Sequence, residues 1–106
     1  MKPVIVLTTV GAGFDAAALA HELVDLHLAA CVNIIERVSS VYRWQGRVED
    51  DVEQLLVIKT VQEQVNGLRE VLFTRHPYDV PEFVVMEIGA IEGPYRDWLI
   101  AAVSPS

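Results

Sequence analysis

The 106-residue sequence predicts an α+β sandwich of the ferredoxin-like β-α-β-β-α-β order, with an extra C-terminal helix and a long central hairpin. Two observations carry that prediction. Apolar periodicity switches between the two-residue repeat of strands and the helical repeat in the order β-α-β-β-α-β-α. Two long runs, 31–44 and 47–60, are rich in Val, Ile, Leu, Tyr and Trp, lack proline, and meet at Gln45-Gly46. Such a dipeptide suits a two-residue hairpin turn, with glycine in the left-handed position. Each run would extend about 46 Å at roughly 3.3 Å per residue. A chain of this length has a radius of gyration of only about 13 Å. The ribbon therefore outruns its own domain, and a free two-stranded ribbon is marginal in water. A partner chain is the simplest shelter for it.

Taken in order, residues 4–9 are a short apolar strand between Pro3 and Gly11. Residues 14–28 follow a helical repeat, with Phe14, Ala17, Ala18, Leu23, Val24 and Leu28 as the inward stripe and Asp15 at the positive helix start. The hairpin comes next, with a bend expected at Ser39-Ser40. A regular ladder puts Trp44 opposite Arg47. One face then carries Tyr42, Trp44, Glu49, Asp51 and Glu53 at the tip, with Val32, Ile34, Leu55, Val57 and Lys59 at the base. The other carries Val41, Val48 and Val52, then Ile35, Leu56 and Ile58. Thr60 and Glu63 have the spacing of a capping box for a second helix, which ends before Pro77 with Val61, Val65, Leu68, Val71 and Leu72 inward. Residues 83–91 read as the fourth strand. Gly93-Pro94 opens the last helix, with Tyr95, Leu99 and Ala102 on one face. Residues 1–106 make a single domain, without linker or tandem repeat.

Composition narrows the function classes. The net charge is −7 and the eight Lys and Arg are scattered. Nucleic acid and anionic membrane are thus poor partners. No apolar run approaches the length of a membrane span, and the amino terminus enters a strand directly, so the cytoplasm is the expected compartment. The one cysteine, Cys31, fits a reducing environment. Glycine-rich phosphate loops, zinc-protease helices, paired-cysteine motifs and nucleophile elbows are absent, so no enzymatic activity is expected.

Cys31 and His76 offer a thiolate and an imidazole, the donors that suit copper or zinc. His76 lies on a loop stiffened by Pro77. Glu49, Asp51 and Glu53 share a strand face, where they could hold a hard cation or pair with Arg43, Arg47 or a neighbouring chain. Lys59, Tyr42, Tyr78, Glu82, Tyr95 and Trp98 could line a polar-aromatic pocket for a small anion, with Trp44 nearby at the hairpin tip.

Several blocks in order resemble the CutA family, the divalent-cation tolerance proteins. They are Leu28-Ala29-Ala30-Cys31-Val32-Asn33-Ile34, Tyr42-Arg43-Trp44-Gln45-Gly46, Leu56-Val57-Ile58-Lys59-Thr60, His76-Pro77-Tyr78-Asp79-Val80-Pro81-Glu82 and Tyr95-Arg96-Asp97-Trp98-Leu99. The resemblance implies a ferredoxin-like homotrimer with exchanged hairpins, a link to copper and other divalent-metal tolerance, and no established catalytic reaction. It also implies a likeness to PII signalling proteins, hence a regulatory interaction module as the alternative. Some relatives hold metal through a first-strand cysteine, the Ala-Ala-Cys cysteine and histidines before Pro-Tyr. Here the first-strand position is Thr8 and Arg75 precedes His76, leaving Cys31 and His76 as the soft ligands.

Overall fold

The computed structural model describes residues 1–105. Its elements are β1 (Pro3–Gly11), α1 (Ala16–Asp25), β2 (Cys31–Trp44), β3 (Arg47–Val61), α2 (Val65–Arg75), β4 (Val84–Glu87) and α3 (Gly93–Ala102), with one 3₁₀ turn at Gln62–Gln64 before α2. The four strands form one antiparallel sheet in the order β2-β3-β1-β4. This is the split β-α-β arrangement expected from the element order.

One sheet face is the core. Val4, Val6, Thr8 and Val10 alternate with half-buried neighbours along β1 and are fully buried. Val6 and Val10 join Leu56 and Ile58 of β3, Ala16, Leu19 and Leu23 of α1, and Leu68 and Leu72 of α2 in a single apolar cluster. The helical stripe on α1 therefore runs through Ala16, Leu19 and Leu23. Ala17, Ala18 and Val24, expected inward, are exposed. Phe14 precedes the helix, so counting from it set the phase one residue off.

Helix α1 also ends earlier than its apolar pattern. His27 takes a φ of 58°. The Leu28 amide donates to the Leu23 carbonyl and the His27 amide to the Val24 carbonyl. That pair of bonds is a Schellman stop, with Leu28 folding back over Leu23. Leu28 then meets α2 so closely that a Cβ on Gly67 would lie 2.9 Å from its Cδ2.

The capping box is not formed. Thr60 stays in β3 and its hydroxyl donates to the Leu28 carbonyl. Glu63 instead accepts the backbone amide of Lys2. Strand β4 is only four residues long, because it pairs with β1 from Val84↔Leu7 to Glu87↔Val4 and no further. Phe83 lies outside that ladder, edge-on to Phe73.

The hairpin has the length the sequence predicts. Gln45 and Gly46 both take positive φ, as a mirror-image turn requires. Strand β1 accompanies β3 only from Val61 to Glu53. Beyond Glu53 the ribbon has two strands and no third, and the molecule measures 46 Å along its longest axis. The irregularity lies at Glu36-Arg37, not at Ser39-Ser40. Ile35 pairs Leu55 and Val38 pairs Glu53, so Glu36 and Arg37 together face Gln54. Arg37, at φ 62°, makes this a β-bulge. The tip faces are as expected. At the base, Cys31, Asn33 and Ile35 lie with Lys59, Val57 and Leu55, while Val32 and Ile34 join Ile58 and Leu56 on the core side. The extra residue in β2 shifts its base alternation by one position relative to a regular ladder.

Candidate functional site

A cleft of about 870 Å³ opens where the ribbon leaves the sheet. Its walls come from the end of β1, the distal half of the hairpin and the 76–82 loop, and include Tyr42, Trp44, Asp51, Glu53, Tyr78 and Glu82. Glu53 is the deepest carboxylate, only 7% exposed. It sits at the last position where β3 still has β1 beside it, opposite Gly11. Its Oε2 accepts the Tyr78 hydroxyl at 2.7 Å.

Nearer the tip, the Tyr42 hydroxyl donates to Asp51. Asp51 and Glu53 lie two residues apart on one face of β3, about 7 Å along the strand. Each is thus met by a phenol from a different element. The hydrogen bond to Asp51 pushes the Tyr42 phenol up to about 12, reinforced by the charges of Glu53 and Glu49. Burial first, then the bond to Glu53, holds the Tyr78 phenol well above the ordinary tyrosine range. Both tyrosines remain neutral donors at any physiological pH.

His76 positions the loop that carries Tyr78. Its ring is 8% exposed. Nδ1 accepts the Tyr78 amide at 3.1 Å, which leaves Nε2 to donate to the Thr9 carbonyl at 2.9 Å. Both ring nitrogens are engaged. His76 therefore fastens the loop to β1, and metal ligation by it requires releasing one of these bonds.

The residues expected to share one pocket divide into two groups. Tyr42, Trp44, Tyr78 and Glu82 line the cleft. Lys59, Tyr95 and Trp98 cluster at the other end of β3, with the Lys59 ammonium 5.9 Å from the Tyr95 ring centre and the Tyr95 and Trp98 rings 5.2 Å apart. Cys31 belongs to this second end, opposite Lys59 in the ladder, and its thiol donates to Asn33 Oδ1 at 3.6 Å. Lys59 lies four positions along β3 from Leu55, which pairs with the Thr9 that holds His76. That is about 13 Å along the strand, so a single chain does not bring Cys31 and His76 together. Among the described residues, no three His, Cys, Asp or Glu side chains converge as a ready-made metal site.

Separation of Lys59 changes the sign of the cleft. Asp51, Glu53, Asp79 and Glu82 contribute four carboxylates to its lining, which includes no Lys, Arg or His. The two ion pairs formed among the described residues, Lys2–Glu87 and Arg75–Glu22, lie elsewhere. Arg43 and Arg47 make neither, so within one chain Asp51 and Glu53 are not paired with these arginines. The site repels an anion and attracts a cation. Asp79, Ser39 and Ser40 were not identifiable as lining residues from spacing, because only the folded loop and the bulged ribbon bring them to the same place.

Fold and site together define a ferredoxin-like α+β protein with a protruding hairpin and an acidic, aromatic cleft at its root. The family model described as "CutA1 divalent ion tolerance protein" matches residues 4–102, and the chain belongs to that family. It is 44% identical over 95 residues to the divalent-cation tolerance protein CutA of Thermus thermophilus, covering 90% of this chain and 92% of that one. It is 41% identical over 96 residues to the chloroplastic CutA of Arabidopsis thaliana, covering 91% of this chain but spanning only 53% of the plant protein. The solved structure of CutA1 from Oryza sativa superposes with a TM-score of 0.92 at 36% identity, over 100% of this chain and 97% of that one. The Thermus thermophilus structure gives 0.90 at 42% identity, over 94% and 97%. No helix among the described residues is long and apolar enough to cross a membrane.

Proposed function

We propose that this chain is a homotrimeric, cytoplasmic divalent-cation binding protein that serves metal-ion tolerance without catalysing a reaction, and that the acidic cleft is where it meets its cations. The observation that carries this reading is Glu53. Its carboxylate is more than nine-tenths buried, receives one phenol, and has no cationic partner among the described residues. A buried carboxylate without a counter-charge is costly, and a bound cation relieves that cost. Asp51, Asp79 and Glu82 supply further oxygen ligands of the kind hard divalent ions take, with water completing the shell. The family's printed description, divalent ion tolerance, supports the same ligand class.

Copper-type ions ask for softer donors. Cys31 and His76 are the soft ligands of this proposal, each meeting donors from a second chain, with water completing the shell. The trimer is supported by the unaccompanied ribbon and by the large apolar side chains it leaves exposed. Calorimetric titration of Mn²⁺ and Cu²⁺ into the wild-type chain and into Glu53→Gln, Cys31→Ser and His76→Ala variants tests the assignment. Loss of Mn²⁺ affinity in Glu53→Gln, with Cu²⁺ affinity lowered in the other two, is the expected result. Equal Mn²⁺ affinity in wild type and Glu53→Gln rejects the cleft, and equal Cu²⁺ affinity throughout removes Cys31 and His76.

A further inference from the structure

We infer that the helix-free face of the sheet is a contact surface between copies of this chain, and that the Lys59–Tyr95–Trp98 end of one chain closes the acidic cleft of the next, an assignment that rests on the trimeric reading and adds to it which surfaces meet. The two sides of the sheet are finished differently. On one, Val6, Val10, Leu56 and Ile58 pack with α1 and α2. Side chains alternate along a strand, and residues directly opposite in a ladder share a face. Ile5 and Leu7 of β1, Leu55 and Val57 of β3, and Val84 and Met86 of β4 therefore point to the other side. There α3 packs against Val61 at one end, through Leu99 and Val103. Val84 and Met86 are exposed, and the other four are half-buried. An apolar strip uninterrupted by charge along β1 and β3 has the composition of an interface core.

The two ends of this strip carry opposite charge. Lys59 stands near Tyr95 and forms no ion pair among the described residues. Glu53 begins the acidic end, with Asp51, Asp79 and Glu82. Lys59 lies six positions along β3 from Glu53, which is about 20 Å, so the two ends of one chain do not meet. Three copies around a threefold axis cannot join through one patch that faces itself, because a self-complementary patch makes a pair. A closed ring of three needs two different patches on every chain, one answering the other. The ends of the strip answer each other in charge, which fixes register and disfavours wrong pairings. Both also present exposed rings, Tyr95 and Trp98 at one and Tyr42 and Trp44 at the other. Such rings are common anchors where proteins meet. One ammonium against four carboxylates leaves the closed cleft negative, so it still attracts a divalent cation.

Carbodiimide coupling of the wild-type chain tests this, because the reagent joins an ammonium to a carboxylate only where the two already touch. An amide between Lys59 and Asp51, Glu53, Asp79 or Glu82, recovered from the two-chain band of a denaturing gel, is the expected result. The spacing along β3 forbids a link from Lys59 to Glu53 within one chain. Native mass spectrometry on dilution gives a second readout. Lys59→Glu is expected to dissociate at a protein concentration at least about tenfold higher than wild type, while Lys59→Arg, which keeps the charge, stays close to wild type. Circular dichroism checks that both variants fold, and the coupling experiment needs neither. Wild-type trimers that yield no such amide, or Lys59→Glu trimers as resistant to dilution as wild type, overturn the inference and leave the trimeric reading intact. A wild-type chain that is monomeric overturns both.

Discussion

Thr8 is the one described residue whose buried side-chain polar atom finds no partner: Oγ1 has no hydrogen bond and the residue is wholly buried. An unmet buried hydroxyl costs about 1–3 kcal/mol. Thr8→Val keeps the branched shape while replacing the hydroxyl with a methyl, so it should stabilise the subunit by about 1 kcal/mol, read as a rise in thermal midpoint. No rise would show that the hydroxyl is satisfied in solution. The cleft tyrosines behave oppositely, because their hydroxyls are used. Tyr42 in the folded chain titrates near 12, against 10.0 for an unperturbed tyrosine. The native state thus holds this proton more tightly than the unfolded state does. Its stabilising effect is complete below pH 10 and is lost as pH rises through about 12. Tyr78 shifts the same way. Urea midpoints measured from pH 9 to 12 should fall with rising pH, and should fall less steeply in Tyr42→Phe. An identical slope in that variant would exclude the Asp51 bond as the cause. At this scale the sequence was informative about residue types, naming Tyr42, Trp44, Tyr78 and Glu82 as ligand candidates. It did not show which would meet. Lys59 and Glu53 sit six positions apart on one strand face, and nothing local says that the chain folds a loop over one and a helix beside the other.

The bulge decides the element scale. The lengths of the two hairpin strands and the Gln45-Gly46 turn were legible because alternation and turn chemistry are local. The bulge was not, since Arg37 takes its left-handed φ without the Gly or Asn that normally announces one. The consequence was confined to the base of β2, where Val32 and Ile34 belong to the core side. Removing Arg37 isolates what the bulge does. Glu36 would then face Gln54 alone, every pair from Val38↔Glu53 to Trp44↔Arg47 would survive, and no side chain would change face. Only the added bend and twist would go. The deletion variant should keep native-like circular dichroism yet aim its ribbon elsewhere, and native mass spectrometry should then find monomers in place of the proposed trimer. A deletion variant that still forms trimers would show that the bend does not direct the ribbon.

At the scale of the whole molecule, α1 and α2 cover one side of a sheet whose hairpin runs on without them. Past Glu53 the ribbon has no third strand, and large apolar side chains project from both of its sides among its charged residues. Tyr42 and Trp44 project from one, while Val41 and Val48 project from the other at 67% and 60% exposure. A monomer gains nothing from such side chains and risks aggregation through them. An assembly that covers them gains about 1.5–3 kcal/mol for each large apolar side chain fully buried, before the entropy of association is subtracted. Three hairpins laid on three neighbours multiply that gain around a closed ring, and closure leaves no exposed ribbon to recruit further chains. An acidic residue in the middle of the contact should reverse the balance, because burying an unpaired carboxylate costs more than burying valine gains. The Val48→Asp variant, altered at a site remote from the helical core, should therefore fold with an unchanged circular dichroism spectrum. Its mass by native spectrometry should fall from three times 11.8 kDa to a single chain. A wild-type chain that is already monomeric at micromolar concentration, or a Val48→Asp chain that remains trimeric, would mean that the ribbon is stable in water on its own and that its length serves something other than assembly.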